Sequence, residues 1–323
     1  MIVTVECFPR LHIGLLDTSG VGKRVFGGAG FCLSGPRFVV DAGRNSSGTP
    51  IVDGDLPVGD KAWLAGLLHD AGLGSVRVTV QGRCLRHIGL GTGTALATGT
   101  VLAASLSCGK NLSRPAIMAA TRRGGASGVG WHAFWHGGFI VDGGQPNVGQ
   151  PLHPSSATSP VEPPPLISRH TIPEGWVFSL FLPYGGRSVS GNSEVSFFER
   201  HTPTPPGERL PAFESLVQEI MPAVFQGDLH RLRAGLINYQ TAGLKRREVA
   251  AQSPPVSSFL RELDEIRECA YGMSSLGPLI FAISFAENES IRLHLERLSL
   301  SRNVELIGHF AGRNTGYESR IGA

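Results

Sequence analysis

The turn Gly89-Leu90-Gly91-Thr92-Gly93-Thr94 is the clearest chemical feature of this 323-residue sequence. A glycine-rich turn that enters a helix leaves several backbone N–H groups unpaired at the positive end of the helix dipole, and such an arrangement binds phosphate. No Gly-Lys-Ser/Thr follows, as a Walker loop requires, and the even glycine spacing does not fit the dinucleotide-binding fingerprint. The structural alternative is a tight turn beside a closely packed helix. We expect an anion site made of Gly89, Gly91, Thr92, Gly93 and Thr94.

A second glycine-rich turn spans residues 122–130, ahead of a short predicted helix at 129–135. It begins with Arg122 and Arg123. Arginine makes paired hydrogen bonds to phosphate or carboxylate groups, so this turn is a second candidate anion site. A third turn of small residues, 272–278, leads into an apolar strand.

Several polar side chains allow two interpretations. His132 and His136 lie four apart, on one face of a helix, but Ala133 stands where a zinc protease has glutamate, so packing or substrate contact is favoured over metal binding. His12 is a candidate site residue or a strand histidine satisfied by hydrogen bonds. Asp142, between an apolar strand and two glycines, has either a functional or a turn-forming role.

The composition indicates a globular chain of two domains. Hydrophobic residues make up 41% and charged residues 17%, and the 43 glycines cluster in short turns without a repeat. The net charge of +3 does not suggest a nucleic-acid partner, and the run Lys245-Arg246-Arg247-Glu248 is interpreted as a solvated helix face. The five cysteines are scattered, which fits a reducing cytosol. No apolar run is long enough to cross a bilayer and no leader precedes the first strand, so we expect a cytoplasmic protein without a membrane partner.

Hydrophobic periodicity predicts the elements that position these turns. In the first half it predicts strands at 2–8, 37–41 and 75–81 and helices at 61–71, 94–106 and 129–135. In the second half it predicts strands at 176–182, 279–285 and 303–309 and helices at 210–225, 228–236, 256–271 and 290–298. The Pro- and Ser-rich stretch 145–165 separates the halves, so we expect an α+β fold with domains at residues 1–160 and 161–323.

The order of the turns resembles that of the galactokinase–homoserine kinase–mevalonate kinase (GHMP) superfamily. Residues 8–17 match its first motif, where a strand leads into substrate-binding residues, and residues 272–278 match its third, a small-residue loop beside the phosphates. The phosphate-binding loop is matched by residues 89–94. This resemblance implies a two-domain GHMP-kinase-like fold, with a ribosomal protein S5 domain 2-like N-terminal domain and a ferredoxin-like C-terminal domain.

One position departs from the kinase pattern. In the kinases, a Ser-Gly-x-Asp sequence followed by a Gly-Gly pair supplies the catalytic aspartate. The matching stretch here is Ser127-Gly128-Val129-Gly130, with Gly137-Gly138 downstream. Gly130 has no side chain with which to orient or deprotonate an attacking hydroxyl. The resemblance therefore favours the scaffold and disfavours the kinase reaction.

Most of the chain resembles one family in particular, the β-ribofuranosylaminobenzene 5′-phosphate synthases of methanopterin biosynthesis. The most specific match is the run 122–144, which ends in Gly137-Gly138-Phe139-Ile140-Val141-Asp142-Gly143-Gly144. Further matches are Arg24 with residues 26–30, and Ser190-Gly191 with Glu194 and Phe197-Phe198. The resemblance implies that phosphoribosyl pyrophosphate and 4-aminobenzoate are joined by a carbon–carbon bond, with release of pyrophosphate and carbon dioxide.

The resemblance also implies roles for particular residues. The donor's pyrophosphate would lie at residues 89–94, and the other anion-binding residues would be Arg10, Arg24, Arg122, Arg123, Ser127 and Gly128. Asp17, Asp142 and His12 would be catalytic, with the two aspartates holding Mg²⁺ or ribose hydroxyls. Backbone N–H groups, arginines and magnesium would stabilise the leaving pyrophosphate without proton transfer, so no organic cofactor is needed. A homodimer is expected from the resemblance alone.

Three alternatives stay open at this point. The first is an ATP-dependent small-molecule kinase that uses Asp142 as its base. The second is a non-catalytic protein that senses a phosphorylated metabolite. The third is a different acceptor, a hydroxybenzoate in place of an aminobenzoate. It stays open because the sequence does not show which para substituent fits.

Overall fold

The computed structural model describes residues 1–155, 157–186, 188–189 and 191–322. Ser190, part of the sequence match above, lies outside the described residues. The strands are β1 (Ile2–Cys7), β2 (Arg10–Asp17), β3 (Arg24–Cys32), β4 (Phe38–Arg44), β5 (Ile51–Gly54), β6 (Val76–Gly82), β7 (Phe139–Asp142), β8 (Gln145–Pro146), β9 (Leu166–His170), β10 (Trp176–Pro183), β11 (Ala270–Met273), β12 (Ile280–Phe285), β13 (Val304–Ala311) and β14 (Glu318–Gly322).

The helices of the described part are α1 (Val58–Asp70), α2 (Thr92–Ser107), α3 (Arg114–Thr121), α4 (Val129–His136), α5 (Asn192–His201), α6 (Arg209–Glu214), α7 (Met221–Gln226), α8 (Leu229–Gln240), α9 (Gly243–Ala250), α10 (Pro254–Asp264) and α11 (Glu289–Ser301). A short 3-10 turn, Pro206–Glu208, precedes α6, and a π-helical segment, Ser215–Ile220, joins α6 to α7. None of these helices is long and apolar enough to span a membrane.

Three sheets organise the chain. The first has the order β14-β1-β4-β6-β5, the second β2-β3-β7-β9 with β8 beside β3, and the third β11-β12-β10-β13. The first sheet packs against α1, α2 and α3 around one core that includes Val5, Val40 and Leu96. A second core joins the sheet of β2 and β3 to the third sheet and α8 through Phe31, Phe178 and Leu236. The two halves of the chain therefore share a continuous packed interior.

Helix α2 lies close to β1 because its residues are small. A Cβ added at Gly99 would come 2.4 Å from the Cys7 sulfur, so a larger residue would push the helix off the sheet. The helix starts at Gly91, whose φ of +63° is a left-handed conformation that glycine adopts without strain. Close packing and the glycine start together fix the N-terminus of α2 beside β2.

The α+β prediction is confirmed, and each strand and helix predicted in the first half overlaps an observed one. The helix predicted at 256–271 is too long, because α10 ends at Asp264 and residues 270–273 form β11. Pairing of Gly272 with Phe281 in β12 outweighs the local helical pattern there.

Two short strands cross the domain boundary expected between residues 160 and 161. β9 pairs with β7, and β14 returns from the C-terminus to pair with β1. The division at 160/161 therefore stays a prediction, and the first two sheets draw strands from both sides of it.

Candidate functional site

A cleft forms where the start of β2, the start of α2 and the turns at 122–130 and 272–278 meet. We divide it into two adjoining halves. The arginine half is lined by Arg10, Arg86, Gly91, Gly93, Arg123 and neighbouring residues. The histidine half is lined by His12, Leu15, Ser127, Gly130, Phe198, Glu248 and neighbouring residues. Both halves are lined by Arg10, Thr94, Ser155, Glu194, Ser275 and Leu276, which therefore stand at the junction.

Arg10 is fixed against the glycine loop. Its backbone N–H donates to the Leu90 carbonyl at 2.9 Å, and its Nη1 donates to the Gly89 carbonyl at 2.8 Å. A Cβ at Gly91 would come 2.7 Å from the Arg10 guanidinium carbon. Glycine at position 91 therefore permits both the left-handed start of α2 and the close approach of a cation to it.

Two further arginines stack on one indole ring. The guanidinium carbons of Arg86 and Arg123 lie 4.5 and 4.9 Å from the centroid of Trp63, and Arg86 also pairs with Asp60. Stacking on an aromatic face stabilises a partly desolvated cation. Here it holds two like charges on the same side of the cleft.

The Nε atoms of Arg10, Arg86 and Arg123 are buried without a hydrogen-bond partner in the described part of the chain. A buried unpaired donor carries a desolvation cost that a bound anion would remove. Burial lowers the pKa of Arg10 and of Arg123 to about 10, and for Arg123 the charge of Arg86 adds to that effect. Both remain cationic at neutral pH, so the arginine half is suited to a polyanion.

A hydrogen-bond chain runs through the histidine half. His12 Nε2 lies 3.0 Å from Ser127 Oγ, and Ser127 Oγ donates to Asp142 Oδ2 at 3.0 Å. The Val129 N–H donates to Ser127 Oγ at 3.1 Å, and the Gly144 N–H donates to Asp142 Oδ1 at 2.8 Å. The turn at 122–130 and the end of β7 therefore hold His12 in a single orientation.

Burial controls protonation along this chain. It raises the pKa of Asp142 to about 6, against the lowering effect of hydrogen bonds from Gly128, Gly144, Ser127 and Val129. Burial, with the charges of Arg10 and Lys245, holds the pKa of His12 well below its usual range. At neutral pH the hydrogen-bond chain thus consists of the Asp142 carboxylate, the Ser127 hydroxyl and the neutral His12 imidazole. Asp142 itself is fully buried behind Ser127 and does not line either half.

The interpretation of residues 245–248 as a solvated face is wrong for Lys245. Its side chain is 1% exposed, its Nζ donates to Glu248 Oε2 at 3.0 Å and to the Ser275 carbonyl at 2.5 Å, and Glu248 lines the histidine half. An i,i+3 ion pair has the same spacing whether it faces water or the interior, and packing of α9 against β2 decides which. Arg246 is exposed and Arg247 is partly buried, and both pair with Glu208.

Gly130 faces the junction of the two halves. A Cβ there would lie 3.4 Å from the Cβ of Thr94, which is ordinary van der Waals contact. An aspartate at this position would point toward the glycine loop, as the kinase pattern requires. Its absence leaves the junction without a carboxylate from this turn.

Besides Asp142 and Gly128, three predicted site residues lie outside the lining of the cleft. Asp17 accepts hydrogen bonds from Ser19 N and Oγ and pairs with Arg209. Arg24 uses its guanidinium on the carbonyls of Gly143 and Gly144 and on Glu162. Arg122 is exposed at the C-terminal end of α3.

The two aspartates proposed as magnesium ligands do not fit one metal site. In the sheet, Asp142 of β7 is the backbone neighbour of Gly28 on one side of β3. Asp17 of β2 is the backbone neighbour of Phe26 on the other side of β3. The two residues are two strands apart in the sheet and are offset by two residues along it, so their Cα atoms are about 12 Å apart. Both carboxylates are also occupied by protein donors, and no cluster of three metal-binding side chains is found among the described residues. His132, whose Nε2 bonds the Pro164 carbonyl at 2.8 Å, has a packing role.

Sequence reasoning missed Arg86, Trp63 and the Lys245–Glu248 pair. Arg86 stands three residues before Gly89, so a basic residue ahead of the glycine turn was a usable signal. Trp63 had no signal in the sequence, because its place beneath the arginines depends on how α1 packs.

Comparisons with known proteins bear on the family and the fold of the chain. Residues 61–138 match the GHMP kinases N terminal domain. The chain is 31% identical over 290 residues to the beta-ribofuranosylphenol 5'-phosphate synthase of Methanocaldococcus jannaschii, covering 84% of this chain and 87% of the relative. It is 29% identical over 284 residues to the protein of the same name from Methanothermobacter thermautotrophicus, covering 85% and 86%.

Solved structures with the same fold include kinases and a mevalonate diphosphate decarboxylase. Homoserine kinase from Cytophaga hutchinsonii superimposes with a TM-score of 0.68 at 12% identity, over 98% of this chain and 97% of the kinase. Phosphomevalonate kinase from Streptococcus pneumoniae superimposes with a TM-score of 0.67 at 11% identity, over 95% and 98%. At such identities the likeness concerns the fold alone, and it confirms the predicted GHMP-kinase-like fold.

Proposed function

Because this chain belongs to the beta-ribofuranosylphenol 5'-phosphate synthase family, we propose that it transfers a phosphoribosyl group to a para-substituted benzoate with loss of carbon dioxide. The family predicted from the motifs is confirmed, and the chain is an enzyme of the synthase type. The relatives are named for a phenol product, so the proposed acceptor is 4-hydroxybenzoate, with 4-aminobenzoate as the alternative to be compared. The donor is phosphoribosyl pyrophosphate.

The observation that carries this proposal is the set of three unpartnered arginine Nε donors around the start of α2. Arg10, Arg86 and Arg123 meet backbone N–H groups of the glycine loop in the arginine half. A helix N-terminus and several cations at one place favour a ligand with multiple negative charges. The pyrophosphate of the donor has that chemistry, and the 5′-phosphate adds a second anion.

The histidine half suits the acceptor. Leu15, Phe198 and Leu276 supply apolar contact for an aromatic ring, and Arg10 at the junction supplies a partner for its carboxylate. In this arrangement the ring carbon that bears the carboxylate would lie next to the donor. Reaction would occur at the boundary between the two halves, where both substrates meet.

The proposed reaction needs no attacking hydroxyl. The bond between ribose C1 and the pyrophosphate oxygen breaks, and pyrophosphate leaves with the electron pair. The ring carbon attacks C1, and the bond to the carboxylate then breaks so that its electrons restore aromaticity and carbon dioxide departs. The arginines stabilise the leaving group through charge and hydrogen bonds aimed at developing negative charge. Gly130 matters here because an aspartate at the junction would repel that charge.

The kinase alternative relied on Asp142 as its base, and the structure does not place this residue in the lining of the cleft. Asp142, the carboxylate it would need, is fully buried behind Ser127. Adenosine diphosphate formation with an alcohol acceptor, and no reaction with phosphoribosyl pyrophosphate, would nonetheless restore it.

Magnesium enters the proposal only with the substrate. Magnesium keeps several waters and binds chiefly through substrate phosphates in many phosphate-handling sites, so the pyrophosphate would bring the ion into the arginine half. Cytoplasmic location, a homodimer and a place in methanopterin biosynthesis stay proposals that rest on the family.

To test the proposal, the purified protein is incubated with magnesium, phosphoribosyl pyrophosphate and carboxyl-labelled 4-hydroxybenzoate or 4-aminobenzoate, and the labelled carbon dioxide is measured. Release of labelled carbon dioxide, matched by pyrophosphate and absent without the donor, is the expected result. A folded chain, shown by its thermal transition, that releases no label from either acceptor would contradict the proposal.

A further inference from the structure

The hydrogen-bond chain in the histidine half has a fixed direction. Ser127 Oγ accepts from the Val129 N–H and donates its proton to the Asp142 carboxylate. Its remaining lone pair therefore accepts from His12, so His12 Nε2 carries the hydrogen in that 3.0 Å contact. A neutral imidazole protonated at Nε2 has a lone pair at Nδ1.

Within the hydrogen-bond chain of His12, Ser127 and Asp142, the Nδ1 atom of His12 is the one that can accept a hydrogen bond from a ligand. Among the described residues no hydrogen bond to this nitrogen is found, while the ring lines the histidine half. Arg10 and His12 are two residues apart on β2, so their side chains lie on one face about 7 Å apart. A para-substituted benzoate spans a comparable length, with its carboxylate at Arg10 and its para group at His12.

We propose that His12 Nδ1 accepts the proton of the acceptor's para hydroxyl during ring attack, with Ser127 and Asp142 as positioning residues that fix its tautomer. This inference rests on the proposed function and adds a catalytic base to it. The enzyme acts on a phenol, and His12 is the group that makes the hydroxyl reactive.

The step balances in protons and electrons. The para O–H bond breaks, its proton moves to His12 Nδ1, and its electron pair moves into the ring as the carbon–carbon bond to ribose C1 forms and pyrophosphate leaves. When the carboxylate bond breaks, the electrons return to the ring and oxygen, and the oxygen takes the proton back from His12. Carbon dioxide and pyrophosphate are the products released beside the phenol.

A weakly basic histidine suits this cycle. As the ring attacks, the para oxygen gains carbonyl character and its proton becomes strongly acidic, so a neutral imidazole suffices as acceptor. The charged and polar groups around the ring are Arg10 on its own strand, Glu194 on α5, Lys245 and Glu248 on α9, and Ser127 and Asp142 behind it. The two nearby cations favour the return of the proton in the second step.

An amine at the para position does not need this base. Its nitrogen lone pair already feeds the ring without loss of a proton, so 4-aminobenzoate reports ring attack and decarboxylation without the proposed transfer. The ratio of turnover with the two acceptors therefore measures the contribution of His12 itself.

The first variant is Asp142→Asn, which keeps the size of the side chain. Its amide NH2 would donate to Ser127 Oγ, Ser127 would donate to His12 Nε2, and the hydrogen of His12 would move to Nδ1. Reversal of a tautomer by this kind of substitution removes most of the activity in a histidine-dependent hydrolase. We expect the kcat for 4-hydroxybenzoate to fall about 100-fold or more, and the kcat for 4-aminobenzoate to fall far less.

The second variant is His12→Gln, with the pH profile as its readout. Without the imidazole, the rate with 4-hydroxybenzoate should rise with pH as the phenol itself ionises. The pKa of an unperturbed phenol is about 10. The wild-type rate should instead be level at neutral pH and fall in acid. A purely structural role for His12 would lower both profiles without changing their shape.

His309→Gln is the matched control. His309 also contacts a serine and a carboxylate, with Ser179 Oγ at 2.7 Å and Glu296 Oε1 at 2.9 Å, but both of its ring nitrogens are occupied and it lies on β13 of the third sheet. It should leave the ratio of the two acceptors unchanged.

The outcomes separate this inference from the proposed function. Equal losses with both acceptors in Asp142→Asn and His12→Gln, in proteins that melt as the wild type does, would overturn the role of His12 while the synthase reaction stands. No carbon dioxide from either acceptor with wild-type protein would overturn the synthase proposal itself.

Discussion

The two halves of the cleft share Arg10 but treat polar groups in opposite ways. In the arginine half, three guanidinium groups each keep a buried Nε without a partner. In the histidine half, Ser127 and Glu248 have partners within the protein, namely Asp142 and Lys245. Cations that keep an unpaired buried N–H group provide binding free energy for an anion, whereas a fully paired network provides orientation. The difference indicates that one half binds the charged donor and the other positions the acceptor.

The largest expected effect tests the arginine half with two adjacent residues. Arg123→Met removes a cation that lines the cleft, and Arg122→Met removes an exposed one beside it in sequence. Loss of charged hydrogen bonds should lower kcat/KM for the donor by about 100- to 1000-fold in Arg123→Met. Arg122→Met should stay within about twofold, because exposed charges contribute little. Similar losses in both variants would show that net charge, rather than the cleft, binds the donor.

Substitution of Gly130 tests the junction of the halves. Gly130→Asp should fold, because the added Cβ meets Thr94 only at ordinary contact distance. Its charge should repel the leaving pyrophosphate and lower kcat/KM for the donor about 100-fold. Gly130→Asn has the same shape without the charge and should lose far less. Equal losses in Gly130→Asp and Gly130→Asn would mean that the size of the added side chain, and not its charge, lowers the activity.

Motif order was enough to find the cleft but not to select its residues. The sequence predicts Arg10, residues 89–94, Arg123 and Ser127 in one place, and the structure brings them to one cleft. Arg24 and Asp17 follow the same motifs yet serve turns of the backbone, with Arg24 on Gly143 and Asp17 on Ser19. A motif fixes which segments converge, whereas the direction of each side chain depends on partners far away in sequence.

The missed elements have a physical reason as well. In β14 all five residues are exposed, so no hydrophobic alternation marks the strand, which is held by backbone pairing with β1 and by ion pairs such as that of Arg320 with Glu6. The strands β1, β4 and β6, whose buried hydrophobic residues alternate, were predicted because burial of one face leaves a periodic pattern. Hydrophobic alternation therefore detects strands with one buried face, and it missed both the exposed β14 and β3, which is buried along nearly its whole length.

A pH-dependent stability difference should mark the histidine half. Because burial raises the pKa of Asp142 from 3.8 to about 6, the folded chain binds its proton more tightly than the unfolded chain does. Stability from this group is therefore present at pH 4 and is lost as the pH rises through 6. Relative to Asp142→Asn, the wild-type free energy of unfolding should fall by about 2 to 3 kcal/mol over that range.

Chemical denaturation of both proteins between pH 4 and pH 7 measures this difference, and the variant removes the contribution of every other titrating group. A constant difference across the range would show that the Asp142 carboxylate is better solvated than its burial implies. The predicted slope would instead mean that the positioning network carries a stability cost at the pH where it is ionised.

The smallest expected effect compares two glycines of one loop. Gly91 has a φ of +63° and faces the Arg10 guanidinium, whereas Gly93 lies in the first turn of α2 and its added Cβ would have Arg86 Nη2 at 3.6 Å. Gly91→Ala should lower the free energy of unfolding by about 1 to 2 kcal/mol through the left-handed backbone. Gly93→Ala should be neutral or stabilising by up to about 1 kcal/mol, because alanine favours a helix.

The donor KM connects these two glycines to the contrast between the halves. Gly91→Ala displaces Arg10, which lines both halves, so we expect the KM values of donor and acceptor to rise together. Gly93→Ala alters only the lining of the arginine half and should change the donor KM alone. A rise in the donor KM alone with Gly91→Ala would place Arg10 wholly with the donor. The carboxylate of the acceptor would then need a different partner, and the histidine half would be defined by His12 without Arg10.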